Sequence, residues 1–190
     1  MYGMHPEAEV VFEGVRVKVR TLELAAREGG GSHRREVVEA ADAVVILPWV
    51  EDGRGLGFEF DGPGVVLIRN ERFAVRETLW ELPAGTVESG ERPGDCAPRE
   101  LVEETGYRAE RLEKLTDFWP TPGFCTERLH AYLATGLEFV GQQLDATEKI
   151  EAVPMAWGEA LGLIRKGELR DAKSIATMLF HETFGRGRGA

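Results

Sequence analysis

Cysteine is scarce in this chain: Cys96 and Cys125 are the only two. That excludes a disulfide-built scaffold and a cysteine-rich metal site, and each thiol is expected to be inert. No apolar run approaches the roughly 20 residues that a membrane span needs. The N-terminus shows no signal-peptide core. A soluble cytoplasmic protein with no membrane partner is the expectation. Basic residues are outnumbered, 23 Lys and Arg against 33 Asp and Glu, for a net charge of -10. That balance excludes a basic surface for nucleic acid. No internal repeat is present.

What remains is 190 residues, 43% of them apolar, enough for one domain with a real core or one domain plus a small appendage. Residues 9–39 alternate apolar and polar around Glu13-Gly14 and read as a short antiparallel β unit. A turn is expected at Arg27–Ser32, and a new strand is expected to begin at Arg35–Val38. Such a unit is too small to stand alone. It must pack on the following domain or on another chain. Ala43–Val50 and Val65–Arg69 read as buried strands, and Leu129–Ala134 and Lys149–Pro154 as further strands. Gly136–Thr147 reads as a polar loop. Trp157–Lys166 has helical spacing and stops at Gly167. Asp171–Phe184 reads as a second amphipathic helix with Ala172, Ile175, Met178 and Leu179 inward. A mixed sheet with helices on both sides is an α/β/α sandwich. The tail from Gly185 is expected to be disordered.

The most informative stretch is Gly85–Tyr107, GTVESGERPGDCAPRELVEETGY. Asp95 is a candidate N-cap, with Cys96, Ala97 and Pro98 in the first turn, and Gly106 suits a helix C-terminus. On that helix Glu100, Glu103 and Glu104 share one face. Three like charges on one face are stable if solvated or if a cation sits on them. A hard cation such as Mg²⁺ takes carboxylate oxygens and bridges to phosphates.

The spacing is G, five residues, E, seven residues, then R-E-L-V-E-E-T-G-Y. This resembles the Nudix box, G-x5-E-x7-R-E-U-x-E-E-x-G-U, at Gly85, Glu91, Arg99, Glu100, Leu101, Glu103, Glu104 and Gly106. Tyr107 stands where an aliphatic residue is usual. The resemblance implies a Nudix-type α/β/α sandwich over residues 41–184. It also implies metal-dependent hydrolysis of a nucleoside diphosphate linked to another group. Mg²⁺ is the implied cofactor, with Mn²⁺ or another divalent cation as substitute. The implied metal ligands are Glu100 and Glu104, then Glu103, with Glu91 acting through water or bracing the loop. Ala84, before the box glycine, contributes its backbone carbonyl. Arg99 holds the glutamates or the loop in geometry.

Outside the box, Glu81-Leu82-Pro83-Ala84-Gly85 resembles the E-L/I-P-A-G segment of ADP-ribose pyrophosphatases. Arg72, in N-E-R, falls where that subgroup has Q-x-R, with Asn70 replacing the usual Gln. Pro122 lies fifteen residues beyond the box, inside P-T-P-G-F-C-T-E-R. The ending G-E-L-R-D-A-K-S-I also resembles the subgroup's. Arg72, Glu81, Pro122 and Glu127 are thereby candidates for holding substrate. Glu148 is the candidate general base, with Asp145, Glu151 or a box glutamate such as Glu103 as alternates. The subgroup's N-terminal strands help form a homodimer, which places residues 1–40 at an interface and makes Arg34 and Arg35 weak candidates for reaching a phosphate. Trp49, Trp80 and Trp119 are expected in the core or an interface, and His33 and His130 as ordinary residues. The implied substrate is a nucleoside diphosphate sugar, ADP-ribose first. The rivals are a GDP-mannose-type pyrophosphatase, a broad hydrolase of unusual nucleotides, and a non-catalytic ADP-ribose-binding regulator.

Overall fold

A computed structural model of the chain describes residues 8–26, 30–144 and 149–185. Asp145, Glu148 and the tail beyond Gly185 lie outside the described residues.

The N-terminal strands β1 (Glu9–Glu13), β2 (Val17–Ala25) and β3 (Ser32–Ala40) form their own antiparallel sheet. β3 begins three residues earlier than expected because all of β2 from Val17 to Ala25 pairs with it. The sheet is tied to the body by Val38, whose N–H donates to the Phe124 carbonyl at 2.7 Å and whose carbonyl accepts from Thr126 N–H at 3.0 Å. β1 is exposed along its whole length, including Val10, Val11 and Phe12.

The main sheet is built on β4 (Ala43–Val50) and β5 (Gly64–Arg72), with β6 (Glu77–Glu81) and β7 (Ala84–Thr86) beside them. Its remaining strands are β8 (Tyr107–Phe118), β9 (Leu129–Phe139) and β10 (Ile150–Ala156). The long path runs β10-β5-β4-β9-β8. β4 and β9 are parallel, while the other pairs are antiparallel. Helix α1 (Pro93–Thr105) covers one face, and α2 (Trp157–Lys166) and α3 (Ala172–Phe180) the other. β4 is apolar throughout because it faces both layers. Val44 and Ile46 pack with Cys96, Ala97 and Leu101 of α1. Val45 and Leu47 pack with Ala160, Leu163 and Met178 of α2 and α3. This is the α/β/α sandwich expected. Among the described residues no helix is long and apolar enough to cross a membrane.

β4 and β5 pair only at Trp49↔Val65 and Val50↔Gly64, then diverge. β7 takes the vacated edge of β4 at Ala43–Val45, and β6 takes that of β5 at Ile68–Arg72. The link between β6 and β7 therefore sits in a fork of the sheet, where the Pro83 carbonyl accepts from Ile46 N–H at 2.9 Å.

Three local expectations are corrected. α1 starts at Pro93, with Arg92 as the capping position, rather than at Asp95. Proline presets the first-turn backbone and has no N–H to satisfy. Asp95 instead ion-pairs with Arg92, and Pro98 lies inside the helix. β9 continues through Gly136 to Phe139, where a loop was expected, because it pairs with β8 as far as Tyr107↔Phe139. Cross-strand pairing outweighs the polar composition there. In α3, Ala172 and Leu179 face solvent, while Ser174, Thr177, Met178 and, just beyond, His181 are buried. The rotation follows a polar contact: Ser174 Oγ accepts from Leu82 N–H at 2.7 Å. The helix gives way at His181 to a π-helical turn ending at Gly185.

The assigned face of α3 has a direct consequence. Met178→Ala should destabilise the fold by about 2–5 kcal/mol, and Leu179→Ala, 44% exposed, by less than about 1 kcal/mol. Urea unfolding of both variants checks this; equal losses would refute the face.

Candidate active site

Arg99 organises the acidic face of α1. Its Nη1 donates to Glu100 Oε1 and to Glu103 Oε2, each at 2.8 Å. Its Nε and Nη2 reach the two oxygens of Glu91, both at 3.1 Å. Glu91 also accepts the backbone N–H of Glu88 at 3.0 Å. The hydrogen bonds from Arg99 and then from Glu88 hold the Glu91 carboxyl down to about 2. The same contacts, Glu91 first, push Arg99 further up from its ordinary value. Glu91 thus ties the loop to the helix through Arg99. Cys96 lies buried beneath, and burial pushes its thiol up to about 12, as suits an inert cysteine.

Glu104 is 4% exposed and accepts the Ala84 N–H on Oε2 at 2.7 Å. The helix is thereby docked on β7. Gly85 is required at this junction: a Cβ there would lie 1.8 Å from Glu100 Cδ. The glycine opens the cradle in which the Glu100 carboxylate sits.

A cavity of about 870 Å³ lies over this face, lined in part by Ala84, Gly85, Thr86, Arg99, Glu100, Glu103 and Glu104. Asn70–Ala74 of β5 and its following turn, with Glu88, Lys149 and Arg16, complete the lining. Arg72 enters from the end of β5. Its Nε and Nη2 bind the two oxygens of Glu81 at 2.7 and 2.6 Å, a bidentate geometry suited to arginine. Glu81 is 1% exposed and also meets Lys173 Nζ at 2.5 Å. Burial pushes the Glu81 carboxyl up, but the bonds from Arg72 and the charge of Lys173 outweigh it and hold Glu81 ionised.

The structure therefore brings Arg72, Ala84, Arg99, Glu100, Glu103 and Glu104 to one cavity. Glu81 and Glu91 lie behind its walls, each holding one of its arginines. Pro122 is exposed and Glu127 half-buried on the loop before β9, and neither lines the cavity. Burial pushes the Glu127 carboxyl up, opposed by Lys173. Glu151 is exposed on β10 and does not line the cavity. Arg34 pairs with Glu23 at 3.2 Å. His130, expected as an ordinary residue, has Nε2 3.0 Å from Asp42 Oδ2. Trp49 and Trp80 pack on the core, as expected, while Trp119 is 43% exposed with Arg128 over its ring.

The NUDIX domain family matches residues 41–178. The chain belongs to the Nudix family. An ADP-ribose pyrophosphatase of Bacillus subtilis is 34% identical over 170 residues, covering 87% of this chain and 85% of that one. A GDP-mannose pyrophosphatase of Cronobacter sakazakii is 30% identical over 172 residues, covering 82% and 81%. A crystal structure of an ADP compounds hydrolase superposes with a TM-score of 0.79 at 21% identity, over 97% of this chain and 94% of that one. The last likeness concerns the fold.

The Nudix box donor set suits a hard divalent cation: several carboxylates beside a backbone segment, in a cradle that a side chain on Gly85 would fill. Among the described residues no three acidic groups converge on one point. Arg99 takes the bonds for which a cation would compete.

Sequence reasoning missed Arg16, Phe73 and Lys149, which line the cavity, and Lys173, which stands behind it. Arg16, in the β1–β2 turn, meets the cavity only through the tertiary fold. Phe73 is 83% exposed at the rim. Lys173 lies in the G-E-L-R-D-A-K-S-I ending, so its resemblance was visible but its partner was not.

Gly85→Ala should lower kcat by about 100-fold or more, since displacing a reacting group by about 1 Å costs that much. Steady-state kinetics with a melting curve tests it. Near-normal turnover would show that the Glu100 cradle is not needed.

Proposed function

We propose that this Nudix pyrophosphohydrolase cleaves ADP-ribose to AMP and ribose 5-phosphate, with Mg²⁺ or Mn²⁺, as a homodimer. The observation that carries the reading is one cavity lined by both the box glutamates and Arg72. A doubly charged pyrophosphate needs cationic partners; Arg72 lines the cavity together with Arg16, Arg99 and Lys149, and its planar guanidinium suits phosphate oxygens.

Glu100, Glu104 and Glu103, with Ala84, would hold the cation, which when bound neutralises phosphate oxygens and lowers the pKa of water. Arg99 keeps the glutamates aimed. Arg72 orients the pyrophosphate. Glu148, outside the described residues, takes the proton of the attacking water as the new P–O bond forms and the bridging P–O bond breaks. Its neighbour Lys149 lines the cavity, which supports that choice. Pro122 and the Bacillus subtilis relative favour ADP-ribose; the Cronobacter sakazakii relative makes GDP-mannose the second reading. The intact box argues against a non-catalytic regulator. The exposed apolar residues of β1 support a dimer formed through the N-terminal sheet, and sedimentation at the monomer mass would refute it.

The test is product analysis on ADP-ribose, GDP-mannose, ADP-glucose, NADH and a diadenosine polyphosphate, with Mg²⁺ and with chelator. Selective, metal-dependent release of AMP from ADP-ribose is expected. Faster turnover of GDP-mannose would replace the substrate and keep the chemistry; binding with no turnover would replace the enzyme by a sensor. Glu148→Gln should lower kcat by about 10²–10⁴. A loss of only a few-fold would move the base to Glu103.

A further inference from the structure

We propose that Lys173 is a positioning residue that neutralises Glu81 behind the cavity wall, leaving the charge of Arg72 available to an anionic substrate. The inference rests on the pyrophosphatase reading above.

Glu81 is buried, and a buried carboxylate stays ionised only with close cationic partners. It has two, Arg72 and Lys173. Lys173 sits on the first turn of α3, is 15% exposed, and does not line the cavity. It also approaches Asp171 Oδ2 at 3.0 Å. These four groups carry two positive and two negative charges, and the half-buried Glu127 is a further carboxyl in the field of Lys173.

Arg72 turns Nε and Nη2 toward Glu81, and among the described residues its Nη1 makes no hydrogen bond. Its side chain is 37% exposed, at the cavity. The cavity is already lined by Glu71, Glu88, Glu100, Glu103 and Glu104. With Lys173 neutral, Glu81 and Asp171 would outweigh Arg72, and its field toward the cavity would be cancelled from behind. The first turn of α3 is held in place for this task. Asp171 caps it through Ser174 N–H at 3.0 Å, and Ser174 Oγ accepts from Leu82 N–H.

Lys173→Met should raise KM about tenfold, within the usual range for coupled charges, with kcat changed less than about threefold. Its melting temperature should fall, since buried Glu81 then keeps only one of its two cationic partners, so kinetics are read well below the transition. Lys173→Arg should restore KM. In an Arg72→Met background, Lys173→Met should change kcat/KM less than about twofold, because the group it serves is gone. Adding Glu81→Gln to Lys173→Met removes both opposed charges and should bring KM back toward wild type; this variant also covers the case in which Lys173→Met folds poorly. An unchanged KM, an additive loss in the Arg72→Met background, or a further rise on adding Glu81→Gln would each overturn the inference. A wild type that turns over no member of the nucleotide panel overturns the function and this inference together. A wild type that is active, with indifferent Lys173 variants, overturns the inference alone.

Discussion

Like charges at i, i+3 and i+4 on one helix face repel, and the site exists because Arg99 stands among them. One guanidinium binds Glu91, Glu100 and Glu103 at once. A lysine could not do this, since its ammonium has no planar fork to divide among three carboxylates. The arrangement ties the loop to the helix and holds the acidic face together. It also keeps Glu100 and Glu103 at one cavity, on bonds for which a cation would have to compete. Glu104, buried and bonded to Ala84 N–H, then fixes helix and strand against each other.

The second arginine uses the same physics in reverse. Arg99 is one cation among several anions, whereas Glu81 is one anion between two cations, Arg72 and Lys173. Each site arginine is oriented by a carboxylate that does not itself line the cavity. Both arrangements depend on the fork between β4 and β5. If those strands paired along their whole length, the Glu81–Gly85 segment could not cross the sheet, and Glu81 and Ala84 could not face opposite partners. Glu81 meets α3, while Ala84 and Gly85 meet α1.

Much of the fold was legible in the residues. Strand β4 and helix α2 are found where the apolar runs and Gly167 put them. Their signals are local: a two-sided apolar strand, and a helix with a glycine stop. The start of α1 was misread locally, at Pro93; the other two misreadings were decided by distant contacts. The face of α3 turned on the bond between Ser174 and Leu82, which no amphipathic pattern contains. β9 ran past Gly136 because β8 was there to pair with it.

The box shows the same division. Spacing alone placed Glu100, Glu103 and Glu104 on one face, because helical periodicity is a property of the chain itself. It identified Arg99 and Gly85 as fixed positions without revealing that one divides among three carboxylates and the other leaves room for Glu100. The sequence by itself determined the family, the acidic helix and the two-sided core strand, since these follow from backbone geometry and neighbouring residues. Only the tertiary structure decided that Glu81 lies behind the wall, that Pro122 and Glu127 stand off the cavity, and that Arg16 and Lys173 belong to its surroundings. Those facts depend on which distant segments share a desolvated space, and there the balance of burial against charge pairing is set by three-dimensional distance.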